Sequence, residues 1–215
     1  MSSSTPLDAP PLILQLLSTL HKKRKARAVS SDILDNLADS QTPVLKQDEF
    51  DRLMLDKFIA LDADKCQFAY QLLTAMGATT VVEAGTSFGV STIYLALAVG
   101  KTAARTGTPG TVIATEKEPS KAAIARAYWA QCGPEVERVI DLREGVPEGL
   151  MFGGYYGVLA LPTPKTVLPR LRRGAVVLTD NTISAAEGYK ELLAFLRDPG
   201  NGSRNVALPF TGGLR

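Results

Sequence analysis

The chain has 215 residues, 45% apolar and 21% charged, which is ordinary globular usage and length enough for one sizeable core. Its 24 Lys and Arg against 22 Asp and Glu leave a formal charge of +2, which argues against a nucleic-acid partner, since such binding needs a clustered basic face. The two cysteines, Cys66 and Cys132, have no metal-ligand spacing, and His21 is the single histidine; a zinc centre or a Ser-His-Asp relay is disfavoured, and a reduced, cytoplasmic setting fits.

Residues 1–10 read as a loose tail, 11–76 as an N-terminal helical part, and 77–215 as an α/β core, all in a single domain. The run Pro11-Leu12-Ile13-Leu14-Gln15-Leu16-Leu17 is too short to span a bilayer, and its positive charges follow it, the reverse of a secretory signal. It reads as an amphipathic helix whose basic end, His21 to Arg27, is a solvated face favoured by the helix dipole; contact with a membrane surface or an acidic partner is the alternative. Apolar residues at helical spacing predict further helices over 47–60 and 62–76, with Gly77 as a C-terminal cap.

From Thr79 onward strands alternate with helices. Strands are predicted at 79–84, 111–115, 137–142, 175–179 and 205–210, with a short candidate at 155–161. Helices are predicted at 87–99, from Pro119 to the Gly133-Pro134 stop, and at 188–197 behind a capping box formed by Ser184 and Glu187. Such alternation implies a doubly wound, mostly parallel α/β sheet, which binds ligands at the carboxyl ends of its strands.

The turn from Gly85 to Gly89 is the main signal. Glycines between a strand and a helix let backbone approach a ligand and aim helix N–H groups at it. Ser87 stands where a dinucleotide fingerprint needs its middle glycine, and no Gly-Lys-Ser/Thr follows, so neither that fingerprint nor a P-loop is present. Glu83 beside the turn suits a cationic or hydroxyl-rich ligand and disfavours a pyrophosphate. Glu116, ending the next strand, is placed to accept hydrogen bonds from ribose hydroxyls. The plainer alternatives are a tight turn without a ligand and a solvent-facing Glu116.

Two stretches together resemble the catechol-type class I O-methyltransferases, a resemblance that runs from about Asp64 to the C-terminus. The first is Val82-Glu83-Ala84-Gly85-Thr86-Ser87-Phe88-Gly89-Val90-Ser91-Thr92, and the second is Ala175-Val176-Val177-Leu178-Thr179-Asp180-Asn181. The resemblance implies S-adenosylmethionine (SAM) as cofactor and a Rossmann-like fold. Glu83, Gly85, Thr86, Ser87, Gly89 and Ser91 would form the cofactor motif, Glu116 would hold the ribose, and Gly145, in the turn after the third strand, would border the adenine. It also implies Asp180 and Asn181 as ligands of a divalent cation, for which their hard oxygens suit magnesium. The acceptor would be a small hydroxylated molecule, aromatic among the choices, and a homodimer stays open.

Two departures accompany the match. The family's strand between the adenine turn and the Asp-Asn strand ends in a metal-binding aspartate, whereas residues 149–162 contain no acidic residue. The chain also stops at Gly212-Gly213-Leu214-Arg215, where a returning strand is expected. The catalytic residue is therefore left unassigned. A relative that binds cofactor without catalysis is the second reading, and a dinucleotide-dependent oxidoreductase is the third.

Overall fold

In a computed structural model, the described residues are 5–26, 58, 60–145, 165, 167–184 and 186–215. Their core is a parallel three-stranded sheet in the order β1-β2-β3, formed by β1 (Thr80–Ala84), β2 (Thr111–Glu116) and β3 (Ile140–Glu144). Thr80 pairs with Thr111 and Ala84 with Thr115; Val112 pairs with Ile140 and Glu116 with Glu144. This register brings the carboxyl ends of all three strands level, so that Gly85, Glu116 and Gly145 follow from one edge. Val112 and Ala114 of β2 are fully buried, as the central strand of a covered sheet requires.

Helix α1 spans Pro11–Ala26, and Ile13, Leu17 and Leu20 form its buried face at helical spacing. Helix α2 (Ala63–Met76) ends at Gly77 in the left-handed conformation, as expected of a C-terminal cap. Helix α3 (Val90–Thr106) packs on β1, β2 and α2, while α4 (Pro119–Cys132) lies against β2 and β3. The predicted stop of α3 at residue 99 comes seven residues early. Burial of Val99 and Thr102 carries the helix past Gly100, a penalty of about 1 kcal/mol that packing overrides.

Other boundaries differ from the prediction. Gly133-Pro134 ends α4, but Pro134 then opens a short helix, α5 (Pro134–Glu137), that buries Val136 and delays β3 to Ile140. The expected strand at 175–179 does not form. Among the described residues no strand pairs with 175–178, where Val176, Val177 and Leu178 are exposed; Ala175 donates only to the nearby Arg172 oxygen in a turn, and Thr179 exchanges backbone hydrogen bonds with Arg215. The strand predicted at 205–210 is reduced to an antiparallel bridge between Leu208 and Leu214, with a second joining Asp180 to Leu214. Strand propensity without a neighbouring ladder leaves backbone groups unpaired, so these segments stay irregular. Helix α6 (Lys190–Arg197) starts behind Tyr189 with no side-chain cap, so Ser184 and Glu187 form no capping box. The helix expected at 47–60 falls almost wholly outside the described residues, and the strand candidate at 155–161 falls there entirely.

The basic end of α1 is more than a solvated face. Arg24 donates to the backbone oxygen of Ala60 at 2.6 Å and pairs with Asp62 at 2.5 Å, pinning α1 to the segment that enters α2. Arg24 thus has its acidic partner within the chain, while Lys22, Lys23 and Lys25 are exposed. Among the described residues, no helix is long and apolar enough to cross a membrane.

Candidate functional site

The glycine turn after β1 is held against the end of β2. The N–H of Thr86 donates to the Thr115 oxygen at 2.9 Å, and the N–H of Ser87 donates to the Glu116 carboxylate at 2.6 Å. Gly85 has φ +82°, and a Cβ built there meets no atom of the described residues within 4 Å, so among them the backbone presents an open face at the strand ends. Ser87 also has a positive φ, 52°, rare for a residue with a side chain, and its hydroxyl is buried without a hydrogen-bond partner among the described residues. Strain and an orphaned buried polar group together make this turn the candidate place for a ligand.

Glu83 organises the turn from beneath. Its carboxylate accepts hydrogen bonds from the hydroxyls of Thr86 at 2.9 Å, Ser91 at 2.6 Å and Thr92 at 2.5 Å. The hydroxyl-rich partner expected for Glu83 is therefore supplied by the start of α3. Burial raises the carboxyl pKa most; the three hydroxyls oppose that shift, and the negative charge of Glu116 adds to it.

Gly89 serves packing. It lies at φ +73°, directly before α3, and a Cβ there would lie 2.6 Å from the Trp129 indole nitrogen, which donates to the Gly89 oxygen at 3.0 Å. The indole fills the space a Cβ would take, so only a glycine allows this helix-to-turn contact. Thr86, 2% exposed, and Ser91 are likewise bonded to Glu83.

Glu116 is 7% exposed, so the solvent-facing alternative does not hold. One carboxylate oxygen takes the Ser87 N–H and the other takes the Glu118 N–H at 2.9 Å. A carboxylate has about four acceptor sites, so capacity remains for ligand hydroxyls. Gly145, at φ +88°, donates its N–H to the Glu116 backbone oxygen at 3.0 Å, and a Cβ there would meet no atom of the described residues within 4 Å. Gly85, Ser87, Glu116 and Gly145 thus form one open-sided cluster, with Glu83, Thr86, Gly89 and Ser91 as its internal scaffold. The open glycine faces and the orphaned Ser87 hydroxyl fit a ligand with hydroxyl and amino groups.

Asp180 and Asn181 lie at the turn that bridges to Leu214. Asn181 has φ +56°, and a Cβ on Gly212 would lie 2.9 Å from its side-chain oxygen and 3.8 Å from the Lys65 ammonium. Lys65, in the first turn of α2, is 1% exposed and pairs with Asp180 at 2.5 Å; Asp62 is 3.8 Å away. Among the described residues no group of three or more His, Cys, Asp or Glu side chains could hold a metal. With its carboxylate already neutralised by an ammonium, the pair does not fit a divalent cation.

Lys65 and Trp129 were missed in the sequence. Trp129 lies in the helix predicted from Pro119 and Lys65 in the helix predicted over 62–76, and neither is a site residue on sequence grounds. A lysine in the first turn, where the helix dipole disfavours cations, was the available signal for Lys65.

No family model and no curated protein matches the sequence. Solved structures do. The SAH-bound methyltransferase PaMTH1 of Podospora anserina matches with a TM-score of 0.61 at 13% identity, covering 95% of this chain and 86% of that one. Cofactor-bound Rv0187 from MTB matches at 0.58 and 22% identity, covering 86% and 79%. The SAM complex of the O-methyltransferase TomG of Streptomyces achromogenes, involved in tomaymycin synthesis, matches at 0.55 and 18%, covering 94% and 95%. At these identities the likeness establishes the fold: a parallel α/β methyltransferase architecture across most of the chain.

Proposed function

We propose that this chain binds SAM at the Gly85 turn and transfers its methyl group to a small hydroxylated acceptor. The observation that carries the reading is the Ser87–Glu116 contact. It joins the open glycine turn to a strand-end carboxylate with acceptor sites to spare, beside a buried hydroxyl that lacks a partner. In this reading Glu116 takes the ribose hydroxyls, Gly85 and Ser87 meet the methionine portion, and Gly145 borders the adenine.

The bound cofactor supplies a methyl carbon on a positively charged sulfur. Held by Gly85, Ser87 and Glu116, it would donate that methyl group to an acceptor oxygen, with sulfur keeping the electron pair of the broken bond and the hydroxyl proton passing to solvent or a base. The protein's task is to hold oxygen, carbon and sulfur in line. Glu83 is unsuited to be the base, because three protein hydroxyls already occupy its carboxylate. Magnesium would, where bound, acidify and orient the acceptor hydroxyl. The Lys65-paired Asp180 does not suit that role, and catechols, which depend on such chelation, are expected to be poor acceptors.

Cofactor binding without catalysis is the second reading, favoured by the lack of any carboxylate in residues 149–162. Radiolabelled methyl transfer, measured against catechols, phenols and carboxylic acids with magnesium or a chelator, tests the choice. Labelling of a phenol or acid in chelator supports transfer. Intact cofactor binding with no labelled product supports the second reading.

A further inference from the structure

Lys65 is the most deeply buried charged side chain among the described residues, and no step of the proposed reaction uses it. Burying an ammonium is costly unless it is paired, and the pairing here is specific. Asp180 accepts from it at 2.5 Å and Asp62 lies 3.8 Å away. The Asn181 side-chain oxygen and the Lys65 ammonium both lie close to where a Cβ on Gly212 would stand, at 2.9 and 3.8 Å, so the glycine's lack of a side chain leaves room for both groups. One unit of positive charge thus lies beside two carboxylates, with the Asn181 oxygen bordering the same space at Gly212, a set of oxygens that would otherwise suit a hard divalent ion.

We propose that the Lys65 ammonium is the resident cation of the Asp180–Asn181 turn, built into α2 in place of a divalent metal. A second cation entering beside it would meet the repulsion of an ammonium whose side chain is only 1% exposed, and Asp180 would have to give up its partner. Lys65 is a positioning residue: it ties α2 to the turn and, through the Asp180–Leu214 bridge, to the C-terminal residues. This holds whether or not methyl transfer occurs, because it concerns only which cation the turn contains.

The test is titration of manganese(II) into the full chain, read by electron paramagnetic resonance, for wild type and Lys65→Gln. Glutamine can still donate to Asp180 but carries no charge. Wild type is expected to show no saturable manganese binding and an unchanged melting temperature in metal or chelator. Lys65→Gln is expected to bind one ion at least about tenfold more tightly. Saturable one-to-one binding by wild type, lost in Asp180→Asn, would overturn the proposal even if Lys65→Gln did not fold. A folded Lys65→Gln that binds no better than wild type would overturn it as well. S-adenosylhomocysteine titrated into the same samples reports separately on the cofactor reading.

Discussion

Removing the Glu83 carboxylate should cost far more than removing its charge. In Glu83→Ala the hydroxyls of Thr86, 2% exposed, and Thr92, fully buried, lose their shared acceptor. Each buried unsatisfied group costs about 1–3 kcal/mol, so the substitution is expected to cost about 2–6 kcal/mol, a large share of a typical stability of about 5–15 kcal/mol. Glu83→Gln retains one oxygen for Thr86 and Thr92, and the Ser91 hydroxyl can turn to accept from the new amide. Its expected cost is below about 1.5 kcal/mol, the worth of one weakened charge-assisted bond. Urea denaturation followed by circular dichroism measures both. The folded-state pKa of Glu83 is raised, so its contribution is fully present below about pH 4.5 and is lost as pH rises through the folded value. Glu83→Gln should remove that slope. Equal stability of the two variants would refute the assignment of Glu83 as the hydrogen-bonding centre of the turn.

Three further outcomes are expected. Glu116→Ala should weaken S-adenosylhomocysteine binding by about 1–3 kcal/mol in a calorimetric titration, and unchanged affinity would return Glu116 to a purely structural role. Gly89→Ala should destabilise the fold by about 2–5 kcal/mol, combining left-handed strain with overlap of the Trp129 ring, whereas Gly145→Ala should cost only the strain, about 1–2 kcal/mol; equal losses in urea denaturation would remove the role given to the indole. The pKa of His21 is lowered, first by burial and then by the Arg24 charge, while its ring is hydrogen-bonded to the Tyr94 hydroxyl. Its contribution is therefore present above about pH 6.5 and lost as pH falls through the depressed folded value; histidine proton titration by magnetic resonance checks this, and a midpoint at or above 6.5 would contradict it.

The glycine turn and the first two strands were legible because local chemistry dictates them. A β-branched run entering Gly85, and another ending at Glu116, have few alternatives once strands alternate with helices. The open-sided cluster was legible for the same reason, since strand ends and turn glycines are local features. The Glu83 arrangement was half legible: Thr86, Ser91 and Thr92 are near in sequence, but which hydroxyls point inward depends on how α3 leaves the turn. Residues 175–179 misled because strand propensity says what a segment tolerates, whereas a strand exists only when a neighbour supplies the ladder. The Lys65–Asp180 pair joins residues 115 positions apart, and no periodicity in either segment announces such a contact.

Calorimetric titration of the purified full chain with S-adenosylhomocysteine, alongside Gly85→Val and with NAD as a competing ligand, tests the central claim most directly. The account predicts one-to-one binding of S-adenosylhomocysteine by wild type, its loss in folded Gly85→Val, where a branched side chain would fill the open face and strain the positive φ, and no binding of NAD. Wild-type affinity in folded Gly85→Val, or preferential binding of NAD, would contradict it.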